Sequence, residues 1–351
     1  MLTAALRDLQ WRRRRFAIAI VGTGLVFGLT LLISGVSNGF GVETDQTVSR
    51  LGLTGWYVKA GSAGPFLGAS PMPAQMVDMV RGLPGLTKAG PTVFTRKGVI
   101  KDGGEIVDVN VFGAAVDGPG MPTADDGHPP KRPGEVAVST RLKGYRIGQT
   151  LKMAGREFTI VGRVNRSSAL GGAPNVFLTL PDAQTVAFAG LPAMSAIGVV
   201  GRPPAPPAGL SFIPEKDGSA DILRAVAQAR SGISLITVLL WVVAASIVGT
   251  ITYLSALERQ RDFAVFKATG VGSAAIFGGL ALQSVLLAVA SAIVGAFIAV
   301  LLAPRFPMQV AYSRSTFLVL PVVAMIVGLL ASLTSIRRTV AVDPAIAFGG
   351  P

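Results

Sequence analysis

The apolar residues of this sequence fall into four long uncharged stretches, and the charged residues lie in the segments between them. The stretches cover residues 16–36, 233–257, 274–303 and 315–336. Because about 20 residues with a rise of about 1.5 Å each cross the hydrocarbon core of a bilayer, every stretch can span a membrane as a helix. The pattern predicts a multi-pass α-helical membrane protein with four transmembrane helices.

Residues 37–220, between the first two spans, mix polar and apolar positions and predict a folded domain. Residues 107–112 alternate with the period of two that is typical of a half-buried strand. Two strand-like runs flank Gly155, which indicates a hairpin. Two further segments begin with proline and favour short helices: residues 71–83 and 181–188. We therefore expect a large α+β domain inserted between the first and second spans.

A helix is expected to lead from this domain into the second span. From Asp221 onward, one helical face collects apolar residues, namely Ile222, Ala225, Val226 and Ala229. Residues 221–257 are therefore predicted to form one continuous stalk helix and membrane span.

The distribution of Lys and Arg predicts the orientation in the membrane. Ten basic residues lie before the first span, between the second and third spans, or after the fourth, whereas the short loop 304–314 holds only Arg305 and Arg314. By the positive-inside rule, the basic amphipathic start 1–15 and the tail 337–351 lie in the cytoplasm. Domain 37–220 and loop 304–314 are then extracytoplasmic.

Composition excludes several classes of protein. The formal net charge is +13, but the large domain and its flanks, residues 37–232, hold 20 basic and 15 acidic residues, so no segment concentrates charge as nucleic-acid binding requires. With no cysteine and one histidine, the chain lacks the usual ligands for a metal site. No Gly-Lys dipeptide occurs, so a Walker A phosphate loop is absent. We expect no catalytic residue, metal or cofactor in this chain.

Two local patterns near the first span are given a structural interpretation. Residues 35–39 match G-x-S-x-G around Ser37, with Asp125 and His128 in the chain order of a hydrolase triad. Ser37 falls at the predicted end of a membrane helix rather than in a strand-turn-helix, which disfavours a hydrolase.

The arginines before residue 16 also suggest a cleavable signal peptide. The 21-residue apolar run 16–36 is longer than a signal peptide's apolar region, which favours a retained span.

Gly24 and Gly28 form a GxxxG pair inside the first span. Small residues at this spacing let a second membrane helix approach closely, so they are candidate packing positions. Glycine that is merely tolerated in a membrane helix is the alternative.

Residues 258–270 form the most informative segment. Charges gather in its first turn and Phe263, Val265 and Phe266 in its second, while Gly270 suits the left-handed position that ends a helix. The pattern predicts a short amphipathic helix presenting aromatic side chains. A helix that only anchors a turn at the membrane surface is the alternative.

This segment resembles the signature E-R-x-x-E-I-G-x-x-K-A-x-G of the MacB, FtsX and LolC/LolE superfamily of ABC transporter permeases. Five residues match and three are substituted: Glu258, Arg259, Lys267, Ala268 and Gly270 match, and Asp262, Phe263 and Ala264 replace Glu, Ile and Gly. The layout of one span, a large domain and three spans is also similar to that family, as is the ending 342–348. Gln283 departs from it, because the family often has Glu there.

The resemblance implies a subunit of the bacterial cytoplasmic membrane. Two copies of an ATPase, which bind ATP and Mg²⁺, and a second permease copy, identical or paralogous, are the expected partners, together with membrane lipid. The ATPase contact is carried over to segment 258–270, with Glu258, Arg259, Arg261, Asp262, Phe263, Phe266, Lys267 and Gly270 as its residues. Family members work by mechanotransmission, in which ATP-driven motion reshapes the extracytoplasmic domain.

The resemblance leaves open what this motion would transport or activate. Export or extrusion of a lipid, a lipoprotein or a toxic compound is the first hypothesis. An FtsX-like regulator that transports nothing and activates a cell-wall hydrolase through an extracytoplasmic contact is the second. Uptake of an amino acid or another solute is the third, and it is disfavoured because the spans contain few polar residues.

Overall fold

The computed structural model describes residues 13–101, 104–306, 308–312, 317, 319–320 and 322–330. The predicted tail 337–351 and most of the predicted start 1–15 lie outside these residues. The chain divides into a helical unit, made of residues up to 38, 231–306 and from 310 onward, and a β-rich unit, made of residues 39–230 with 307–309.

The helices and strands of the described residues are as follows. The helices are α1 (Arg13–Arg50), α2 (Asp78–Arg81), α3 (Leu180–Phe188), α4 (Glu215–Arg224), α5 (Ala227–Glu258), α6 (Gln260–Ala268) and α7 (Ser273–Leu302), with 3₁₀ turns at Ala74–Val77 and Ala303–Arg305. The strands are β1 (Gly55–Lys59), β2 (Met72–Pro73), β3 (Leu86–Ile100), β4 (Ile106–Ala114), β5 (Asp126–Gly127), β6 (Glu135–Ser139), β7 (Thr150–Met153), β8 (Arg156–Val164), β9 (Ser168–Ala169), β10 (Ala173–Thr179), β11 (Ala193–Met194), β12 (Ala196–Gly201) and β13 (Leu210–Pro214).

Three helices of the described residues are long and apolar enough to cross a membrane. They lie at Phe16–Arg50, Ala227–Glu258 and Ser273–Arg305 and coincide with the first three predicted spans. Within the predicted fourth span, residues 317, 319, 320 and 322–330 are helical, and the remainder of 315–336 lies outside the described residues.

Helix α1 is longer than the sequence predicted. The apolar run ends at residue 36, but the helix continues to Arg50, and residues 39–50 belong to the β-rich unit. Its polar continuation stays helical because Glu43, Thr44 and Thr47 are buried there beside Val48 rather than exposed to water. The hydropathy pattern located the membrane span but not the end of the helix.

The predicted continuous stalk 221–257 is wrong, because the chain breaks between α4 and α5. The amides of Ala225 and Val226 bond to carbonyls three residues back, of Ile222 and Leu223, instead of four. A turn at 225–226 therefore separates the two helices. The apolar face that the sequence showed across this junction is compatible with both arrangements, so the pattern could not detect the break.

The large sheet of the β-rich unit follows the strand order β13-β1-β12-β3-β4-β10-β6-β8-β5. β10 is parallel to β4, and β6 is parallel to β8. β7 pairs with both β3 and β8, which closes β3, β4, β10, β6, β8 and β7 into a ring. The predicted hairpin around Gly155 is present as β7 and β8.

Strand β4 contributes to two cores, one on each face of the sheet. Val109 and Val111 pack in one cluster with residues of β6, β8 and α3, while Phe112 packs in another with Phe94 and Phe177. The predicted half-buried strand is therefore covered on both faces from Val109 onward. Val48 at the end of α1, together with Leu51 and Leu53 just after it, supplies part of the second cover.

Candidate functional site

The candidate site is the corner formed by the end of α5, the short helix α6 and the start of α7. Arg259 leaves helical geometry with φ −110° and ψ 16°, which separates α5 from α6. The Phe263 amide donates to the Arg259 carbonyl at 3.0 Å, and Arg259 Nε lies 3.7 Å from Asp262 Oδ2. The Arg259 amide also donates to the Ala256 carbonyl of α5 at 3.2 Å, so the Arg259 backbone joins the two helices while its side chain contacts α6.

Phe263 lies in the core of this corner. Its side chain is only 5% exposed and packs with Ala256, Ile276 and Leu280, and the Arg259 guanidinium lies 5.5 Å from its ring centroid. The expectation that Phe263 is presented to a partner is therefore wrong for this chain, because the side chain covers the junction of α5 and α7. Amphipathicity alone could not tell an internal apolar face from an external one.

Gly270 ends α6 in the left-handed conformation that the sequence predicted, with φ +90°. Its amide donates to the Lys267 carbonyl at 3.0 Å, and the Val271 amide donates to the Phe266 carbonyl at 2.9 Å. This pair of bonds is a Schellman motif, and Val271 and Phe266 both pack against the Phe263 cluster, as that motif favours. Phe266 is only partly buried.

The outward face of the corner is mainly polar. Its exposed residues recur at intervals of three or four: Glu258, Arg261, Asp262, Val265 and Thr269. Val265 is 50% exposed. The exposed apolar side chains of α6 are thus Val265 and Ala268 among polar ones, rather than the aromatic pair predicted from the sequence.

Buried polar side chains join α5 to α7 within three turns of the corner. The Thr252 and Ser284 hydroxyls lie 2.8 Å apart, and the Gln283 amide donates to Ser255 Oγ at 3.1 Å. All four residues are buried. Gln283 stands where the family often has Glu, and its neutral amide has a hydrogen-bond partner, Ser255, on the adjacent helix.

Gly24 and Gly28 face α7 in the helical unit. A Cβ atom added to Gly28 would lie 3.0 Å from the Gly295 carbonyl oxygen, and one added to Gly24 would lie 3.1 Å from the Ser291 carbonyl oxygen. Gly295 is equally crowded, since its added Cβ would lie 2.7 Å from the Gly24 carbonyl oxygen. The two helices therefore approach closely where all three residues lack side chains.

Sequence reasoning missed a buried polar cluster in the β-rich unit. The Glu43 carboxylate accepts hydrogen bonds from Ser168 Oγ and from the Gly172 amide, the latter at 3.1 Å. Thr47 Oγ1 donates to the Ser168 carbonyl at 2.6 Å and accepts from Asn175 Nδ2 at 3.0 Å. The only sequence signal was the group of polar residues 43–47 shortly after the apolar run 16–36, and such a group is typical of a loop.

Two carboxylates of the β-rich unit have lowered pKa values. The Arg50 guanidinium donates to both oxygens of Asp125, at 2.8 and 3.3 Å, and this hydrogen bonding holds the pKa of Asp125 below its usual value. The backbone amides of Lys131 and Arg132 lower the pKa of Glu135. Among the described residues, no three His, Asp or Glu side chains are grouped to hold a metal ion. Ser37, the serine of the G-x-S-x-G pattern, lies inside α1.

Comparison with known proteins decides the family. Residues 16–211 match the family model described as MacB-like periplasmic core domain, and residues 234–344 match the model described as FtsX-like permease C-terminal. The chain belongs to the MacB/FtsX family of ABC transporter permeases. Because permeases of ABC transporters are not themselves the ATPases, this permease works with an ATPase partner.

Two relatives, each covered over its full length, agree with this assignment. The permease is 48% identical over 351 residues to an "Uncharacterized ABC transporter permease" of Mycobacterium bovis, with 100% of each chain covered. It is 46% identical over 353 residues to another protein of that description from Mycobacterium tuberculosis, again with 100% of each covered. The periplasmic region of MacB from Actinobacillus actinomycetemcomitans aligns with 48% of this chain and 92% of its own, at 11% identity and a TM-score of 0.35.

Proposed function

We propose that this permease is one of two permease copies, identical or paralogous, that assemble with two ATPase copies and work by mechanotransmission. The observation that carries the proposal is the corner at α6. Its inner face fixes α5 to α7 through Phe263, and its outer face is exposed and polar apart from Val265 and Ala268. A partner that displaces α6 would displace both long helices, because they share this core.

The membrane arrangement proposed here has four spans, with the start, the α6 corner and the tail in the cytoplasm. It is supported by three apolar helices among the described residues, by the helical positions within 317–330, and by the basic residues of the short segments. The β-rich unit is then extracytoplasmic. ATP and Mg²⁺ would bind to the ATPase, and no cofactor is proposed for the permease itself.

A topology experiment tests this arrangement. Alkaline phosphatase is active only outside the cytoplasm, so a fusion after Gly104 should be active and a fusion after Gly272 inactive, at equal expression. Activity of the second fusion and silence of the first would overturn the scheme.

The proposed cargo is a lipid, a lipoprotein or a toxic compound moved outward. Charged side chains are absent from the three described spans between Phe16 and Val36, Ile233 and Leu257, and Ser273 and Leu302. A polar solute would therefore meet few ionisable partners inside the membrane.

The second candidate is a regulator without cargo, in which the β-rich unit activates a cell-wall hydrolase. Sensitivity of a deletion strain to a panel of toxic compounds, without a cell-separation defect, would favour export.

The contact with the ATPase is tested at Val265. A substitution Val265→Asp places a charge at the apolar centre of the exposed face, where interface cores are depleted of charge. The ATPase should no longer co-purify with the permease. The matched control is Val116→Asp, which changes a valine 41% exposed in the β-rich unit and should retain the ATPase. Retention by the Val265 variant at the wild-type ratio would contradict the proposed contact.

A further inference from the structure

The main part of the β-rich unit, residues 39–230, begins and ends in helical segments that differ in continuity. It begins with residues 39–50 of α1 and ends with α4 and the first residues of α5, up to Arg230. Helix α1 runs unbroken from Arg13 to Arg50, whereas the turn at 225–226 interrupts the path from α4 to α5.

The polar cluster ties residues 39–50 of α1 to β9, β10 and the turn between them. Glu43 is 2% exposed and accepts from Ser168 Oγ and from the Gly172 amide. Thr47, one turn further along the helix, is 1% exposed and bonds to the Ser168 carbonyl and to Asn175. Two successive turns of the helix are therefore held by buried hydrogen bonds.

The cluster continues into the sheet. Asn175 Nδ2 also donates to Ser167 Oγ at 3.1 Å, and its Oδ1 accepts from Asn110 Nδ2 at 2.9 Å. Asn110 and Asn175 are paired residues on the adjacent parallel strands β4 and β10, and both are completely buried. The hydrogen bonds thus run from α1 to the centre of the sheet without an intervening water-exposed link.

A third contact holds the last residue of the helix. Arg50 makes a two-point ion pair with Asp125, whose carboxylate also accepts from the Asn165 amide at 2.7 Å. Breaking a buried polar network by removing one partner leaves the other groups without a substitute. Sliding or rotating α1 against the sheet would break several of these bonds at once.

Helix α4 is also held by the unit, but its attachment ends before the turn. The Asp221 carboxylate accepts from the amides of Phe66 and Gly68, and the Arg224 side chain donates to the Ala63 carbonyl at 2.7 Å. Beyond the turn, Ala227, Gln228 and Ala229 are exposed. These side-chain contacts to the β-rich unit therefore come from α4, on the near side of the turn at 225–226.

We propose that Glu43 is a positioning residue: its polar cluster fixes residues 39–50 of α1 to the sheet, so that this end of α1 moves with the sheet as one body while the turn at 225–226 acts as the hinge. This inference rests on the proposed mechanotransmission. It assigns the rigid attachment of the β-rich unit to the end of α1, whereas the sequence predicted a continuous stalk at 221–257.

Distances between spin labels on the intact permease–ATPase complex in nanodiscs test the inference. The chain has no cysteine, so introduced cysteines are the only labelling sites on the permease; the ATPase is used as a cysteine-free variant. The first pair, Asp45→Cys with Thr159→Cys, reports α1 against the sheet. The second pair, Gln228→Cys with Thr159→Cys, reports the start of α5 against the sheet. All three positions are exposed, and labelled chains are diluted with unlabelled ones to suppress distances between copies.

In the wild type, the first pair should give one narrow distance distribution that is the same with and without ATP, and the second pair should shift on ATP binding. Glu43→Leu should remove the narrow distribution of the first pair, even without nucleotide. Glu43→Gln, which keeps one oxygen acceptor but places an NH₂ group against one of the two donors, should broaden it less. The matched control is Glu135→Gln, which weakens bonds from two backbone amides away from α1 and should leave the distribution narrow.

The outcomes separate this inference from the proposed function. An ATP-dependent shift of the first-pair distance in the wild type overturns the role of Glu43. An unchanged first-pair distance distribution in Glu43→Leu also overturns it, when a thermal unfolding transition shows that this variant is folded. A second pair that is insensitive to ATP overturns the hinge. If neither pair responds to ATP but Glu43→Leu still broadens the first, the attachment by Glu43 holds and mechanotransmission fails.

Discussion

Gln283 on α7 donates a hydrogen bond from its side-chain amide to Ser255 Oγ on α5 at 3.1 Å, inside the helical unit. The bond lies beside the Thr252–Ser284 pair, and together they join the two helices that meet at the α6 corner. An amide at this position needs no change of protonation to make its bond, so it can serve as a fixed tie between the helices.

Replacing Gln283 tests that tie. Gln283→Leu should destabilise the packing of α5 on α7 by about 0.6–2 kcal/mol, the range found for hydrogen bonds between membrane helices. Unfolding of the purified permease in detergent, followed by circular dichroism during thermal or SDS titration, measures the change. Gln283→Glu should be milder, because a protonated carboxyl can still donate to Ser255. Equal stability of the Leu variant and the wild type would show that the bond contributes little.

The contact of α1 with α7 gives a second prediction. Gly295→Leu should disrupt the helical unit, because even a Cβ at that position would lie 2.7–2.8 Å from Gly24, Phe27 and Gly28. Overpacking of this kind commonly costs about 1–3 kcal/mol. The control is Gly22→Leu, since nothing lies within 4 Å of a Cβ added there. Monodispersity in detergent and thermal unfolding should separate the two variants, and similar behaviour would contradict the close packing.

The pair Arg50–Asp125 predicts a pH dependence. Since the folded state lowers the pKa of Asp125, its contribution to stability is present above the unfolded pKa and is lost as the pH falls through the lower, folded value. Asp125→Asn should therefore lower the Tm at neutral pH and have a smaller effect in acid. The expected loss is about 1 kcal/mol or less, because both side chains are about 30% exposed. A difference between variant and wild type that grows on acidification would give the opposite sign and refute the assignment.

Phe263 and Val265 should behave oppositely. Phe263→Ala removes the core of the corner and should cost on the order of 3 kcal/mol, as for other buried aromatic residues. Val265→Ala changes an exposed side chain and should alter stability by about 0.5 kcal/mol or less, while weakening co-purification of the ATPase. Thermal unfolding and pull-down of the same two variants make the comparison. Loss of the ATPase with full stability in the Phe263 variant would restore the direct contact that the sequence suggested.

The sequence predicted those features that depend on long or local patterns. Three helices long and apolar enough to cross a membrane, the hairpin at Gly155 and the helix end at Gly270 follow from apolar length, strand spacing and the left-handed preference of glycine. It could not place Phe263, because an amphipathic helix shows the same pattern whether its apolar face meets its own chain or a partner. It also missed Glu43, since a carboxylate becomes a core residue only when distant donors such as Ser168 and Gly172 are brought to it by the fold.

The two-faced burial of β4 has a practical consequence for cutting the protein into pieces. Phe94, Phe112 and Phe177 are covered in part by Val48 of α1, and Asn110 and Asn175 reach Thr47 of the same helix through their hydrogen bonds. A soluble fragment that starts at β1 would leave these aromatic rings and amides bare and would aggregate. A fragment that starts near residue 39 and stops after α4 would keep these residues covered, so the last three turns of α1 are where a fragment of the β-rich unit should begin.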